Sequence, residues 1–493
     1  MRSRFTPGTA GFVLCALLAT GCHVGPDYRV PDLSARTDPP WRPPSGAEVT
    51  AERVDLARWW TRLGSPELDA LATRVCTQNL SLAEARQRVV AARARRGIVH
   101  AERLPQIESG ARYTHAGTGD ESVNFLGPPP GTDVDFYSVS ATAAWELDLW
   151  GRVGRLVEAA DAEIDVAVED YRGAAVSLLA ELALAYVDAR TLGERLNVLS
   201  RNVALQRETA RLARSRFDAG NGSRLDVDQA ERELAVTRAR VPELRRQLRA
   251  SENRIAILIG ERPQDGLVTS KQSLRLPPTV GIGLPADLLA RRADVRRAER
   301  ALAASVARIG AAEAERYPRI SISGTFALQS QDAESLLRPA DSLSYSFGPN
   351  LRIPLYTGGR IDGEVRLREV GAEAARIAFE RTLLEAVEEV ENAGEGVVRT
   401  RERVARLEAA AQAARSTVTL AQELYQAGVR NLLQVVDAQR AQVAIEEALL
   451  VARQAAFVQT IDLYRALGGG WEPLELDGSM HREAESDSAK GTS

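Results

Sequence analysis

Glu102-Arg103-Leu104-Pro105-Gln106-Ile107 recurs 213 residues later as Glu315-Arg316-Tyr317-Pro318-Arg319-Ile320. Further along, Gly151-Arg152-Val153 returns 208 residues on as Gly359-Arg360-Ile361, and Phe217, Ala219, Gly220 and Leu225 return at the same shift as Tyr425, Ala427, Gly428 and Leu433. Leu258-Ile259-Gly260 closes the first stretch and Ala466-Leu467-Gly468 the second. The chain is therefore one unit written twice, and the unit, not the full length, is what must fold. The shift changes by five residues between Pro105 and Gly151, where a loop differs in length.

Each unit reads helix, strand, strand, very long helix, turn, helix. The strands alternate: Val139, Ala141, Ala143, Trp145 and Leu147 lie on one face against Ser138, Ser140, Thr142, Ala144 and Glu146. In the second unit Leu343, Tyr345, Phe347, Leu351 and Ile353 oppose Ser344, Ser346, Asn350 and Arg352. An apolar face backed by a Ser/Thr-rich face over about ten residues is what a membrane-barrel strand requires, because lipid touches one side and water the other. A soluble sandwich with one wet face fits the pattern as well. The loops around Gly127-Pro128-Pro129-Pro130-Gly131 and over residues 330–341 are polar and read as external. Four strands cannot close a barrel, and edges open to lipid would leave backbone groups unpaired at several kcal/mol each. A homotrimer supplying twelve strands is the simplest closure.

Residues 152–217 and 360–425 each run 66 positions without proline. As helices they would span roughly 100 Å apiece. Leu192, Leu196, Leu199, Val203, Gln206, Ala210, Ala213 and Phe217 follow a 4-3 spacing, repeated by Thr400, Val404, Leu407, Ala411, Ala414, Val418, Ala421 and Tyr425. That is a coiled-coil seam, and its alanines allow close approach of neighbouring helices. Shorter helices over about 66–103 and 225–258 are expected to stack along the long ones, the second kinked or locally opened at Pro242.

The N-terminus has the layout of an export signal: Arg2 and Arg4, then 13 mainly apolar residues from Gly8 to Thr20, too few to cross a bilayer as a helix. Leu18-Ala19-Thr20-Gly21-Cys22 resembles a bacterial lipobox, with leucine one place further from the cysteine than usual. Cys22 is the expected lipidation site, the alternative being an ordinary signal with a chance cysteine. His23 after it is not the aspartate associated with inner-membrane retention, so the resemblance points to the outer membrane. Loss of Cys15 with the signal and acylation of Cys22 leave Cys76 alone, which excludes an intrachain disulfide or a thiolate cluster. Removing residues 1–21 takes two arginines and moves the formal charge from -4 to -6, and basic and acidic residues alternate along the helices, so nothing argues for nucleic acid.

Three further fragments resemble the TolC/OprM outer-membrane efflux factors, in particular their NodT lipoprotein branch. They are Cys22-His23-Val24-Gly25-Pro26-Asp27-Tyr28, the run from Pro285 through Arg291-Arg292-Ala293-Asp294-Val295-Arg296, and Pro354-Leu355-Tyr356-Thr357-Gly358-Gly359-Arg360. Ala293 stands where the family usually has proline. The resemblance covers about Cys22 to Trp471. It implies a mainly α fold with a membrane β-barrel, TolC-like, in which a trimeric β-barrel continues as an α-helical barrel. Residues 1–21 are then the signal peptide, 22–65 the anchored and equatorial segment, and 66–262 the first repeat, with strands about 105–116 and 134–147 and helix 152–218. Residues 263–285 are an equatorial linker and 286–471 the second repeat, with strands about 319–329 and 343–355 and helix 360–426. A polar tail, 472–493, reads as disordered.

The implied role is a passive exit duct of a tripartite efflux system, most simply of RND type, for drugs or other small toxic compounds. Its partners would be a periplasmic adaptor (membrane fusion protein), an inner-membrane pump and outer-membrane lipid. A type I secretion or metal-efflux duct is an alternative within that reading, and a structural coiled-coil lipoprotein is one outside it. The resemblance places a closing latch on Tyr425, Arg430 and Asp226, an acidic gate residue at Asp437, and Gln434 where a second acid is common. The tip turns, with Gly220, Leu225, Gly428, Leu432 and Leu433, would meet the adaptor; turn chemistry alone also accounts for the two glycines. No enzyme, cofactor or resident metal is expected. His23, His100, His115 and His481 lack ligand spacing, and Gly468-Gly469-Gly470 reads as a helix cap rather than a phosphate cradle.

Overall fold

The structure is a computed structural model that describes residues 23–31, 49–50, 55–121, 131–264, 266–268, 274–281 and 291–472. The signal sequence, Cys22, residues 127–130 of the first external loop, residues 285–290 of the mid-chain motif and the tail beyond residue 472 lie outside the described residues. In chain order the elements are β1 (Val49–Thr50), a 3-10 turn (Trp59–Leu63), α1 (Pro66–Gln78), α2 (Leu80–Ala101), β2 (Gln106–Gly117), β3 (Asp133–Leu147), α3 (Arg152–Asp218), α4 (Arg224–Ala239) and α5 (Val241–Leu258). There follow β4 (Val280–Gly281), α6 (Ala293–Ala314), β5 (Arg319–Ser330), α7 (Ala333–Leu336), α8 (Pro339–Ser342), β6 (Leu343–Arg352), α9 (Arg360–Gln426) and α10 (Leu432–Ala466). The chain falls into two compact units, one within residues 1–31, 88–167 and 298–379, the other within 32–87, 168–297 and 380–493.

The first unit holds an antiparallel sheet in the order β2-β3-β5-β6. Its registers, Ala141 opposite Ser109 and Phe326, and Phe326 opposite Tyr345, bring the apolar residues of all four strands onto one face. Phe326, Tyr345, Phe347 and Leu351 are exposed there. Serines and threonines line the opposite face. β6 stops at Arg352 instead of continuing to residue 355, because Pro354 has no N–H for a ladder. Outer strands β2 and β6 have no partner within the described residues.

The second unit is built on a buried core in which Trp59, Leu63, Leu182, Tyr186, Ile255 and Tyr464 meet. Trp59 stacks on Tyr464 with ring centroids 5.3 Å apart. Here the first of the shorter helices departs from the sequence expectation, and the second is interrupted beside Pro242. The stretch 66–103 is two helices, divided at Asn79, whose side chain donates to Leu258 O at 2.8 Å and accepts from Leu82 N at 2.9 Å. An asparagine that caps one helix while tying down another is worth more at a break than inside a helix. The stretch 225–258 likewise divides at Arg240, so Pro242 occupies the first turn of a new helix, where its missing N–H costs nothing. α3 and α9 are each unbroken over 67 residues.

Candidate functional site

Two helix-to-helix turns close the second unit at one end, and each begins with a glycine in the left-handed region. α3 ends with Gly220 at φ 76°, Gly220 N donating to Phe217 O at 2.9 Å and Asn221 N to Arg216 O at 2.8 Å. α9 ends in the same way, with Gly428 at φ 76°, Gly428 N on Tyr425 O at 3.0 Å and Val429 N on Leu424 O at 2.9 Å. These paired bonds satisfy carbonyls the helix leaves open, and only glycine takes that backbone without strain.

The return helices start differently. Ser223 caps α4 in a capping box, its N–H donating to Asp226 Oδ2 at 3.3 Å and its hydroxyl accepting from Leu225 N at 3.1 Å. Asn431, its repeat counterpart at α10, makes no side-chain cap. Beneath both turns Ala210, Ala213, Val227, Ala230, Tyr425, Leu432, Val435 and Val436 pack into one small core.

The structure separates the residues proposed as a latch. Tyr425 is buried in the tip core, and the arginine on it is Arg216: the guanidinium lies 4.8 Å from the ring centre, and Nη1 donates to Tyr425 O at 2.6 Å. Burial pushes the Tyr425 phenol above its ordinary range; Arg216 opposes that rise and Asp226 adds to it. Arg430 is exposed on the turn and makes no side-chain ion pair within the described residues of this chain, while Asp226 is engaged by its own helix N-terminus. An Arg430 to Asp226 link is therefore not made within one copy.

Of the residues read as adaptor contacts, Leu225 and Leu433 are exposed, but Leu432 is 0 % exposed and belongs to the tip core. Gln434 is exposed. Asp437 is exposed on the second turn of α10, with Arg440 at 3.8 Å; Arg440 in turn bonds Glu233 at 2.6 Å.

A second constellation concerns the segment that follows Cys22. Val24 N donates to Trp150 O at 3.2 Å, and the buried Arg155 donates to Val24 O, Gly25 O and Asp27 Oδ1 at 3.2, 3.3 and 2.8 Å. Tyr28 OH reaches Glu299 at 2.8 Å. The Arg155 hydrogen bond and charge hold the Asp27 carboxyl below its usual range. These contacts seat residues 23–28 on α3 and α6, beside the corner where β3 turns into α3.

A third set gathers around Arg292 in the mid-chain motif. Its guanidinium donates to Asp294 at 2.6 Å, Glu389 at 2.8 Å and Ala466 O at 2.8 Å. Arg292 is buried, and three acceptors compensate its charge.

With the duplicated frame, the sheet and the tips described, comparison with known proteins is decisive. A sequence profile described as Outer membrane efflux protein matches residues 71–261 and 284–469. The chain belongs to this family. Nodulation protein T of Rhizobium leguminosarum bv. trifolii is 31% identical to this efflux-family chain over 483 residues, covering 96% of it and 100% of the relative. Outer membrane protein OprJ of Pseudomonas aeruginosa is 31% identical over 467 residues, 93% of this chain and 95% of OprJ. Among solved structures the outer-membrane channel OprN superposes with a TM-score of 0.83 at 33% identity, covering 92% of this chain and 100% of OprN. The fold class is thus the TolC-like one.

Sequence reasoning missed Arg216 and Arg155 as site residues. Arg216 lies in a run with Arg211 and Arg214 whose members look alike in the sequence. Only its place at the helix end, one residue before Phe217, hints that it faces the second turn.

Proposed function

We propose that three copies of this chain assemble into a duct that is open through the outer membrane and closable at its helical tips. The observation that carries this reading is the sheet of the first unit: among the described residues it has four strands, one continuous apolar face, one polar face and two unpaired edges. Such a sheet is unstable alone in lipid, and three copies closed edge to edge bury every edge while enclosing a polar bore. Cys22, one residue before the seated segment, carries the lipid that anchors each copy beside its barrel.

In this assembly the tips of α3 and α9 meet the α-hairpins of a periplasmic adaptor through the exposed Leu225 and Leu433 and the Gly220 and Gly428 turns. An inner-membrane pump supplies the energy. The duct itself carries no chemistry, and cargo of the drug or small-toxicant class follows from the pump. Three Asp437 carboxylates converge in the mouth and favour cations there. Arg430 makes no side-chain ion pair among the described residues of its own chain, and in this reading it pairs with Asp226 of a neighbouring copy, which turns the latch into a contact between copies.

The test is purification in detergent followed by light scattering and planar-bilayer recording. A trimer with steady conductance is the expected result. A monomer that is soluble without detergent and passes no ions overturns the reading and leaves a structural lipoprotein as the better one. Asp437→Asn is expected to lower cation preference several-fold in the same recordings.

A further inference from the structure

We infer that β6 of one copy pairs with β2 of the next in a single register, dictated by the chain's own duplication, with Asn350 opposite Arg112. The inference rests on the closed-barrel reading and goes beyond it by specifying how the copies meet.

The duplication is geometric as well as sequential. In the first hairpin Gln106 lies opposite Ala144 and Ile107 opposite Ala143. Advancing the first strand by 213 residues and the second by 208 turns these pairs into Arg319 with Arg352 and Ile320 with Leu351, the pairs observed in the second hairpin. The junction between the repeats, β3 with β5, joins a second strand to a first strand, and there Thr142 lies opposite Thr325. The two free edges are again a second strand, β6, and a first strand, β2. The same shifts carry Thr142 to Asn350 and Thr325 back to Arg112, and likewise give Leu351 opposite Ala111, Pro349 opposite Tyr113 and Arg352 opposite Gly110.

Three physical arguments favour this register over its neighbours. An odd slip is excluded, because it would turn one strand's apolar residues into the bore. A ring of six repeats closes evenly only if every junction has the same stagger, and a two-residue slip at alternate junctions would displace neighbouring strands by about 7 Å. Of the two even slips, one sets Arg352 against Arg112, a like-charge pair directly opposed. The other sets Arg352 against Glu108 and is the real competitor.

Paired cysteines test it in a Cys76→Ser background. Asn350→Cys with Arg112→Cys, and Leu351→Cys with Ala111→Cys, sample the wide and narrow pair types that alternate along an antiparallel ladder. Asn350→Cys with Gly110→Cys and Asn350→Cys with Thr114→Cys report the two slips. Within one chain β2 and β6 are separated by two strands, about 14 Å across the sheet, beyond the roughly 7 Å limit for a disulfide. Any bond therefore joins two copies. Oxidised membranes run without reductant should show dimers and trimers for at least one of the first two pairs, and at least tenfold less for the slipped pairs. A ladder from a slipped pair overturns the register. If no pair bonds while the variants still purify as conducting trimers, the register fails and the duct reading stands. If no pair bonds and the unsubstituted protein is itself monomeric, the duct reading fails with it.

Discussion

Asp226 illustrates how one side chain can serve two ends. Its carboxylate closes the capping box of α4, and its charge bears on the buried Tyr425. Replacement by alanine removes both, and loss of a cap costs about 1 kcal/mol. Asp226→Asn keeps an acceptor for Ser223 N while discarding the charge. If the charge closes the tip, both variants raise single-channel conductance; if the cap alone matters, Asp226→Ala raises it and Asp226→Asn leaves it unchanged. Arg216→Ala should also open the tip, because it removes both the bond to Tyr425 O and the stacked cation, a contact worth roughly 0.5–2 kcal/mol. Conductance unchanged in Arg216→Ala would show that the Arg216 contact is not a closing one.

Among the elements, the short segment after Cys22 is held more tightly than its length suggests. Gly25 adopts φ +92°, and a Cβ there would overlap the backbone of Gly310 in α6. Gly25→Ala is therefore expected to unseat residues 23–28 at a cost of about 1–3 kcal/mol, from overpacking and backbone strain together. Limited proteolysis should then cut near the exposed Arg29 faster than in the parent. Equal cleavage rates in both would mean that the segment is seated by Arg155 and Tyr28 alone. The long helices show the opposite balance, since each depends on a seam of small residues spread over many turns. Ala210, Ala213, Ala411 and Ala414 are all buried, and no single one dominates.

At the scale of the whole molecule, the Arg292 hub ties the start of α6 in the second repeat to α9 and to the end of α10. Burial pushes the Asp294 carboxyl up, but its hydrogen bonds to Arg292 and that residue's charge outweigh it, so the net shift is downward. A carboxyl held below its unfolded value adds stability above about pH 3.9, and that stability is lost as the pH falls through the lower folded value. Thermal stability should therefore decline on the acid side, and Asp294→Asn should flatten part of that decline while lowering stability at neutral pH. Melting temperatures across the acid range measure this; parallel curves for parent and variant would remove Asp294 from the account.

The fold class was legible because its signals are periodic and long. Alternating residues such as Val139 to Leu147, two proline-free runs of 66 and a repeat marked by Gly151 and Gly359 each average over many positions, so no local accident can disguise them. The break set by a single side chain at Asn79 was not legible, because the bonds that stabilise it reach Leu258 and Leu82, whereas the break at Arg240 was announced by Pro242. The tip followed the same division. Glycines at both turns announced themselves, since backbone geometry is a local property. Whether Arg216 or Arg430 meets Tyr425, and whether Leu432 or Leu433 faces solvent, depends on how two helix ends pack across 209 residues of chain. Pattern specifies which faces are apolar, whereas contacts between distant segments are settled by steric fit and charge pairing, which exist only once the chain has folded.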